Sequence, residues 1–272
     1  MLLSWLALGM GGRAPPVVIA VVLGTLVLAI VSWIDDLRGL SPALRLPAHA
    51  VAVAIGLVAL PHTADPLAAL GPALCFAAAG LAWVWWINLF NFMDGIDGLA
   101  GSETVAVAIG YLAVGAFAGL DDPYWGLALV IAASAGGYLF WNWHPAMVFM
   151  GDAGSIPLGF LLGWLMLDLA LAGAWPAGLI LPLYFLADAT LTLLVRARRG
   201  ETLWQAHRQH FYQRAVLGGT RPAGVVWRVG AVNATLLALA LVSVHHPLPA
   251  LVAAAGLVWA LLSHLNDLGR RS

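Results

Sequence analysis

The sequence predicts an all-α, polytopic helical membrane protein with about nine transmembrane helices, and three observations carry that prediction. Only 9% of the 272 residues are charged and 62% are hydrophobic, against roughly 25% charged in soluble domains. The apolar residues fall into runs of about 20, the length at which a helix crosses a bilayer. The basic residues, all arginine, gather on one side of any alternating arrangement of those runs. Helices are expected because they satisfy their own backbone groups in lipid.

In chain order the apolar runs lie at 15–34, 44–60, 67–87, 101–120, 124–141, 154–173, 175–195, 223–244 and 248–265. Several are short or carry proline, so the count is open by one or two. With the end of the first run taken as cytoplasmic, eleven arginines fall on the cytoplasmic side and only Arg13 falls outside. The outer loops "PHTADP", "GLDDPY", "AGAW" and "HHPLP" contain none, which fixes the orientation by the excess of positive charge inside. Cys75, alone in an apolar run, gives no disulfide or metal-thiolate signal. The start "MLLSWLALGM" lacks the basic stretch of a signal peptide. Trp83, Trp85, Trp86, Trp141 and Trp143 sit where an aromatic belt is expected. The whole of 1–272 reads as a single integral-membrane domain, its longest polar stretch being 196–221.

The carboxylates sort by side. Asp35, Asp36, Asp94, Asp97, Glu103 and Asp152 lie at cytoplasmic helix ends, while Asp65, Asp121 and Asp122 lie outside, with Asp168 near the outer end of its helix. "SWIDDLRGL" ends a helix with Asp35 and Asp36 at its negative pole, where two acids call for a cation, an arginine or a shifted pKa. The competing reading is a solvated helix stop. "NLFNFMDGIDGLAG" spaces Asn88, Asn91, Asp94 and Asp97 by three, so they project along one side of a helical or 3₁₀ turn. The intervening glycines let backbone approach a ligand, and the oxygen set suits Mg²⁺. A polar loop with an N-cap is the alternative.

"VFMGDAGSIPLGF" places Asp152 at a helix start, as a simple cap or beside free N–H groups able to hold phosphate. "WQAHRQHFYQR" puts His207, Arg208, His210 and Arg214 in a cytoplasmic loop, as a diphosphate grip or a lipid-headgroup anchor. Asp188 lies about two turns before the arginine cluster. Together these segments make an acidic, metal-competent centre ringed by arginine and histidine at the inner membrane surface, suited to phosphoryl transfer. A secondary transporter is the main non-enzyme alternative, but it calls for ionisable groups near mid-membrane and repeated broken helices.

Four motifs in order, "DDLRGL", "NFMDGIDGLAG", "FMGDAGS" and "AHRQHFYQR", resemble those of the polyprenyl-phosphate N-acetylhexosamine-1-phosphate transferases, glycosyltransferase family 4. The resemblance covers about 30–215. It implies transfer of a sugar-1-phosphate from a UDP-sugar to undecaprenyl phosphate, releasing UMP, with Mg²⁺ (or Mn²⁺) as cofactor. It implies a multi-pass protein of the bacterial inner membrane, its site facing the cytoplasm, initiating a cell-surface glycan such as lipopolysaccharide. A homodimer is compatible with it, and no nucleic-acid partner is expected.

Carried over motif by motif, Asp152 and Asn91 become metal ligands. Asp35, with Asp36 beside it, becomes the base or orienting group at the lipid phosphate. Asn88, Asp94 and Asp97 contact nucleotide-sugar, Phe149 stacks on uracil, and His207, Arg208 and His210 bind diphosphate or sugar. Tyr212 and Gln213 stand where many members carry further histidines. That form resembles the branch that starts O-antigen with N-acetylated deoxyhexosamines. The family's N-terminal helix and basic glycine-rich loop precede the first aspartate pair. The sequence starts too late to contain them, so a shortened form with weak or absent activity is the expectation, and a non-catalytic relative the alternative.

Overall fold

A computed structural model describes residues 16–58, 60, 71–120, 124–205 and 207–270. Arg13, Asp65, Asp121 and Asp122, placed outside the membrane above, lie beyond the described residues. Within them the chain is helical with no strand. The helices are α1 (Pro16–Arg38), α2 (Pro42–Val58), α3 (Pro72–Met93), α4 (Leu99–Phe117), α5 (Trp125–Asn142), α6 (Asp152–Leu169), α7 (Trp175–Ile180), α8 (Leu183–Arg198), α9 (Phe211–Leu217), α10 (Pro222–Ser243) and α11 (Pro247–Gly269). Prolines open α3, α10 and α11, where the missing N–H costs nothing and the fixed φ favours the first turn.

Each of the nine apolar runs folds around a helix, but the count of nine spans is not established. Six helical stretches among the described residues are long and apolar enough to cross a membrane. The run at 175–195 divides into α7 and α8 at Leu181–Pro182, since proline supplies no backbone N–H. The continuous stretch from Asp152 to Ile180 is no single straight span either. Gly173, at φ 98° in the π-helical turn Ala170–Ala174, breaks it. A Cβ on Gly178 would lie 2.9 Å from the Met166 carbonyl, although twelve residues of straight helix would separate them by about 18 Å. The chain therefore turns back, and α7 packs against the end of α6.

The centre of the bundle is α6, which packs against α1, α3, α4 and α7. Gly159 and Gly163 on one face admit the bulky face of α3, the small-residue device of membrane helix packing. Trp83 stacks on Phe160 with ring centroids 4.7 Å apart and donates to the Phe160 carbonyl at 3.0 Å. Trp86 donates to the Gly159 carbonyl at 2.9 Å. These contacts correct the belt assignment for two tryptophans: Trp83 and Trp86 are core residues, 1% and 3% exposed. Trp85 and Trp141 remain outward-facing.

The helix ends alternate so that all four sequence motifs reach one end of the bundle. α1 and α3 finish there, and α6 begins there. α9 docks on the last turn of α11, where Gly218 lies so close to the Leu268 carbonyl that any side chain would collide. Replacing Gly163 with Val drives a branched side chain into Trp83 and Trp86. A loss of about 1–3 kcal/mol is expected, read as a lower thermal midpoint in detergent. Gly256→Ala, which faces open space, should show no such loss, and equal behaviour of the two variants would contradict this packing.

Candidate functional site

The first aspartate pair sits on the last turn of α1, and its two members face different partners. Asp35 is 8% exposed; it accepts from the Leu40 N–H at 2.5 Å and lies 2.8 Å from Arg45 Nη1. The same Nη1 reaches Asp152 Oδ2 at 3.3 Å. Arg45, on the first turn of α2, is thus the cation that two acids at a negative helix pole require. Asp36 accepts from the backbone N–H groups of Asp152 at 3.2 Å and Ala153 at 3.0 Å. It caps α6 from another helix, on the pole that favours a carboxylate. Gly151, with φ 62°, makes no side-chain cap of its own, and a Cβ there would lie 3.0 Å from Asp36 Oδ2. The two N–H groups considered above for phosphate are therefore already taken.

The second motif and the segment before α6 enclose a polar cavity of about 310 Å³, lined by Asn91, Asp94, Asp97, Asn142, Phe149 and Asp152. Asn91 accepts from Ser155 Oγ at 2.5 Å and hydrogen-bonds the Asp152 carboxylate. Burial, reinforced by the negative Asp152, pushes the Asp94 carboxyl up to about 6. Asp97 accepts from His144 Nδ1 at 2.7 Å and from the Ala146 N–H at 3.1 Å. Asn142 accepts from the Gly98 N–H at 2.9 Å and donates to the Val148 carbonyl at 2.8 Å, bracing the two loops. Phe149, 73% exposed, stands at the rim.

Asn88 is not in this cavity. It donates to the Val84 carbonyl at 2.7 Å and meets buried His49 at 3.3 Å. A spacing of three lags the 3.6-residue turn, so along α3 the first member rotates off the shared face.

The histidine segment reaches the cavity indirectly. Tyr212 donates to the Phe92 carbonyl at 3.0 Å and fills the space beside Gly95, which any side chain there would contest. Buried Asp188 organises this segment: it accepts from the Phe211 N–H at 3.0 Å, from His210 Nδ1 at 3.2 Å and from the Tyr212 N–H at 3.3 Å. His210, 1% exposed, is sandwiched between the rings of His207 and Tyr212, and its Nε2 has no partner among the described residues.

The segment is less cationic than its composition suggests. Burial, with His210 and Arg196 nearby, pulls His207 down to about 4, so it is neutral near pH 7. Arg214 is a clamp, donating to Asn266 Oδ1 at 2.9 Å with its guanidinium 4.3 Å over Phe211. Buried Arg196 holds Glu201 at 2.9 Å and the Thr202 carbonyl at 2.7 Å. Arg208 is exposed.

No three His, Cys, Asp or Glu side chains among the described residues converge as a metal cage. The oxygen set nonetheless fits Mg²⁺, which is usually held through one or two carboxylates with water and substrate phosphates completing its shell. Asp152 and Asn91, joined by a hydrogen bond at the cavity wall, are such a pair. Arg45, His144 and Asn142 were not among the candidate residues drawn from the sequence, and Ser155 stood there only as the last residue of "FMGDAGS". The only signal was position: each lies within a few residues of a motif.

A family model described as glycosyl transferase family 4 matches residues 18–170, more than half of the chain. The match holds the three acidic motifs and stops before the histidine segment. A Streptomyces coelicolor protein assigned as a glycosyltransferase is 35% identical over 80% of this chain and 59% of its own length. A phospho-N-acetylmuramoyl-pentapeptide-transferase of Picosynechococcus is 37% identical over 53% of this chain and 44% of its own. A Bacillus subtilis protein named as a probable undecaprenyl-phosphate N-acetylglucosaminyl 1-phosphate transferase is 28% identical over 74% and 58%. The chain thus spans between 44% and 59% of the length of these three relatives.

The His207 environment has a pH consequence. Its pKa falls from 6.5 to about 4 on folding, so below pH 6.5 the unfolded chain binds a proton that the folded one refuses. Its contribution to stability is intact above pH 6.5 and declines as pH falls toward 4. His207→Asn should therefore lose less thermal stability than the wild type between pH 7 and pH 5. An identical pH dependence in the two proteins would contradict a neutral His207.

Proposed function

We propose, from the premise that this chain belongs to glycosyl transferase family 4, that it transfers a sugar-1-phosphate from a UDP-sugar to undecaprenyl phosphate. A phosphate oxygen of the lipid forms a bond to the sugar-bearing β-phosphorus. The bond between that phosphorus and the bridging oxygen breaks, and UMP leaves with the electron pair. The observation that carries the reading is the convergence of residues 91–97 and 149–152 on one polar cavity, with Asp35 and Asp36 joined to its edge through Arg45 and the α6 cap. Phosphoryl transfer asks mainly for positioned charge of this kind.

Asp152 and Asn91 would hold Mg²⁺ (or Mn²⁺), which when bound neutralises phosphate charge. Asp94 and Asp97 face the nucleotide-sugar, with His144 and the Ala146 N–H fixing the Asp97 carboxylate. Phe149, at the rim, offers a face for uracil. Arg45 meets the acceptor phosphate beside Asp35, which orients it, and Asp36 acts by fixing the start of α6. Exposed Arg208 reaches the diphosphate or sugar, and buried His210, held by Asp188, shapes the segment that presents it. The Tyr212–Gln213 pair after His210 is the sequence feature behind the proposed O-antigen branch and its N-acetylated deoxyhexosamine. The excess of arginine at this end supports a site facing the cytoplasm from the bacterial inner membrane.

The test is incubation of the purified protein with undecaprenyl phosphate, Mg²⁺ and a panel of UDP-sugars. UMP and a lipid-diphosphate sugar are expected for at least one donor, and no release with any donor would overturn the reading. Asp152→Asn should abolish release while the protein still elutes as a folded species. Retained turnover with an unchanged Mg²⁺ requirement would remove Asp152 from the ligand pair.

A further inference from the structure

Outside the cavity, one buried polar pair has no role in the chemistry above. Glu103, fully buried on the second turn of α4, accepts from Asn233 Nδ2 of α10 at 2.7 Å. Its other oxygen, Oε1, and the Asn233 Oδ1 atom are both buried without a partner among the described residues. Glu103 makes no ion pair among those residues, and the buried Tyr184 phenol of α8 lies within its electrostatic reach.

Two orphaned acceptors within one bonded pair pose a donor-counting problem. A carboxylate has no donor, and the amide has one N–H already spent. An isolated carboxylate with one hydrogen bond, sunk in a membrane helix bundle, is also the costliest form of the group. One proton on Oε1 resolves both difficulties. It donates to Asn233 Oδ1 while Asn233 Nδ2 donates to Oε2, closing a reciprocal acid–amide ring with no buried charge. Reversing the amide assignment changes which oxygen carries the proton but not the need for it.

We propose that Glu103 is a positioning residue, held as a neutral carboxylic acid, whose reciprocal hydrogen bonds with Asn233 lock α4 to α10 beneath the Asp94–Asp97 loop. Both helices start at the functional end, α4 at Leu99 and α10 at Pro222. At the mouth of their seam, a Cβ on Gly98 would lie 3.8 Å from Val226. Asn233 is seven residues further along α10, or about 10 Å deeper, and Glu103 is five residues further along α4. The pair therefore pins the seam two turns below the loop that presents Asp94 and Asp97. Through it α4 keeps the register that Gly98 and Asn142 need for their hydrogen bond.

Infrared difference spectroscopy of wild type against Glu103→Gln at neutral pH tests the protonation directly. A protonated-carboxyl carbonyl band present in the wild type and missing in the variant is expected; its absence from the wild type overturns the proposal. The positioning part, which rests on the proposed function only for its ligand, uses the exchange Glu103→Gln with Asn233→Asp, which moves the acid across the pair without changing either length. Asn233→Leu should weaken UDP-sugar binding roughly tenfold, and the exchange should restore it. Failure of the exchange to exceed Asn233→Leu would overturn the positioning role. Absence of nucleotide binding in the wild type would count against the proposed function instead, with the infrared band and the thermal midpoints of the same variants still deciding for or against the acid–amide lock.

Discussion

Asp36 accepts hydrogen bonds from the first two backbone N–H groups of α6, and the rest of the functional end depends on that cross-helix cap. α6 is the helix around which the bundle packs, so its first turn is a fixed point. Asp36 ties the end of α1 to it. Ser155, one turn in, ties it to Asn91 and hence to the end of α3. Asn142 and His144 then tie the loop before α6 to Gly98 and Asp97 at the start of α4. Three acidic segments, separated by more than fifty residues each, are brought to one place by polar contacts that all trace back to this turn.

The charge arrangement follows from the same geometry. Carboxylates gathered at a membrane boundary repel one another and lose solvation, so each finds a compensating group or changes its proton affinity. Asp35 and Asp152 share Arg45, Asp36 takes the positive pole of α6, and Asp97 takes His144. Asp94 faces the cavity near Asp152 with no such partner among the described residues, and burial, with Asp152 beside it, pushes its carboxyl up to about 6. One acid left without a counter-charge beside an oxygen-lined cavity is the arrangement on which the proposed cation and nucleotide-sugar site rests.

Much of this was legible in the sequence, and the failures have physical reasons. The helical membrane class follows from composition and run length, and the three acidic motifs meet as their chemistry suggested. Periodicity did not show that Asn88 turns away toward His49, because a spacing of three agrees with a helical face over only a few residues. Charge counting overstated the histidine segment, since burial keeps His207 neutral and packing consumes Arg214. The reversal at Gly173 falls in "AGAW", the outer loop read between the runs 154–173 and 175–195, whereas the second break, at Leu181–Pro182, was not read because the apolar run continues through it. Trp83 and Trp86 were assigned to the belt because sequence gives depth along a helix but not which side faces lipid. Long-range partners such as Arg45 for Asp152 and Asp188 for His210 depend on which helix ends are neighbours, and a single sequence does not encode that openly.

The cavity between Asp94 and Asp152 is the proposed joint site for a divalent cation and a nucleotide diphosphate. Isothermal titration of the purified protein with a UDP-N-acetylhexosamine, in matched buffers with and without Mg²⁺, tests it most directly. Clear binding is expected with Mg²⁺, much weaker binding without it, and loss of the Mg²⁺-dependent part in Asp94→Ala. Equal affinity in the two buffers, unchanged by that substitution, would contradict it.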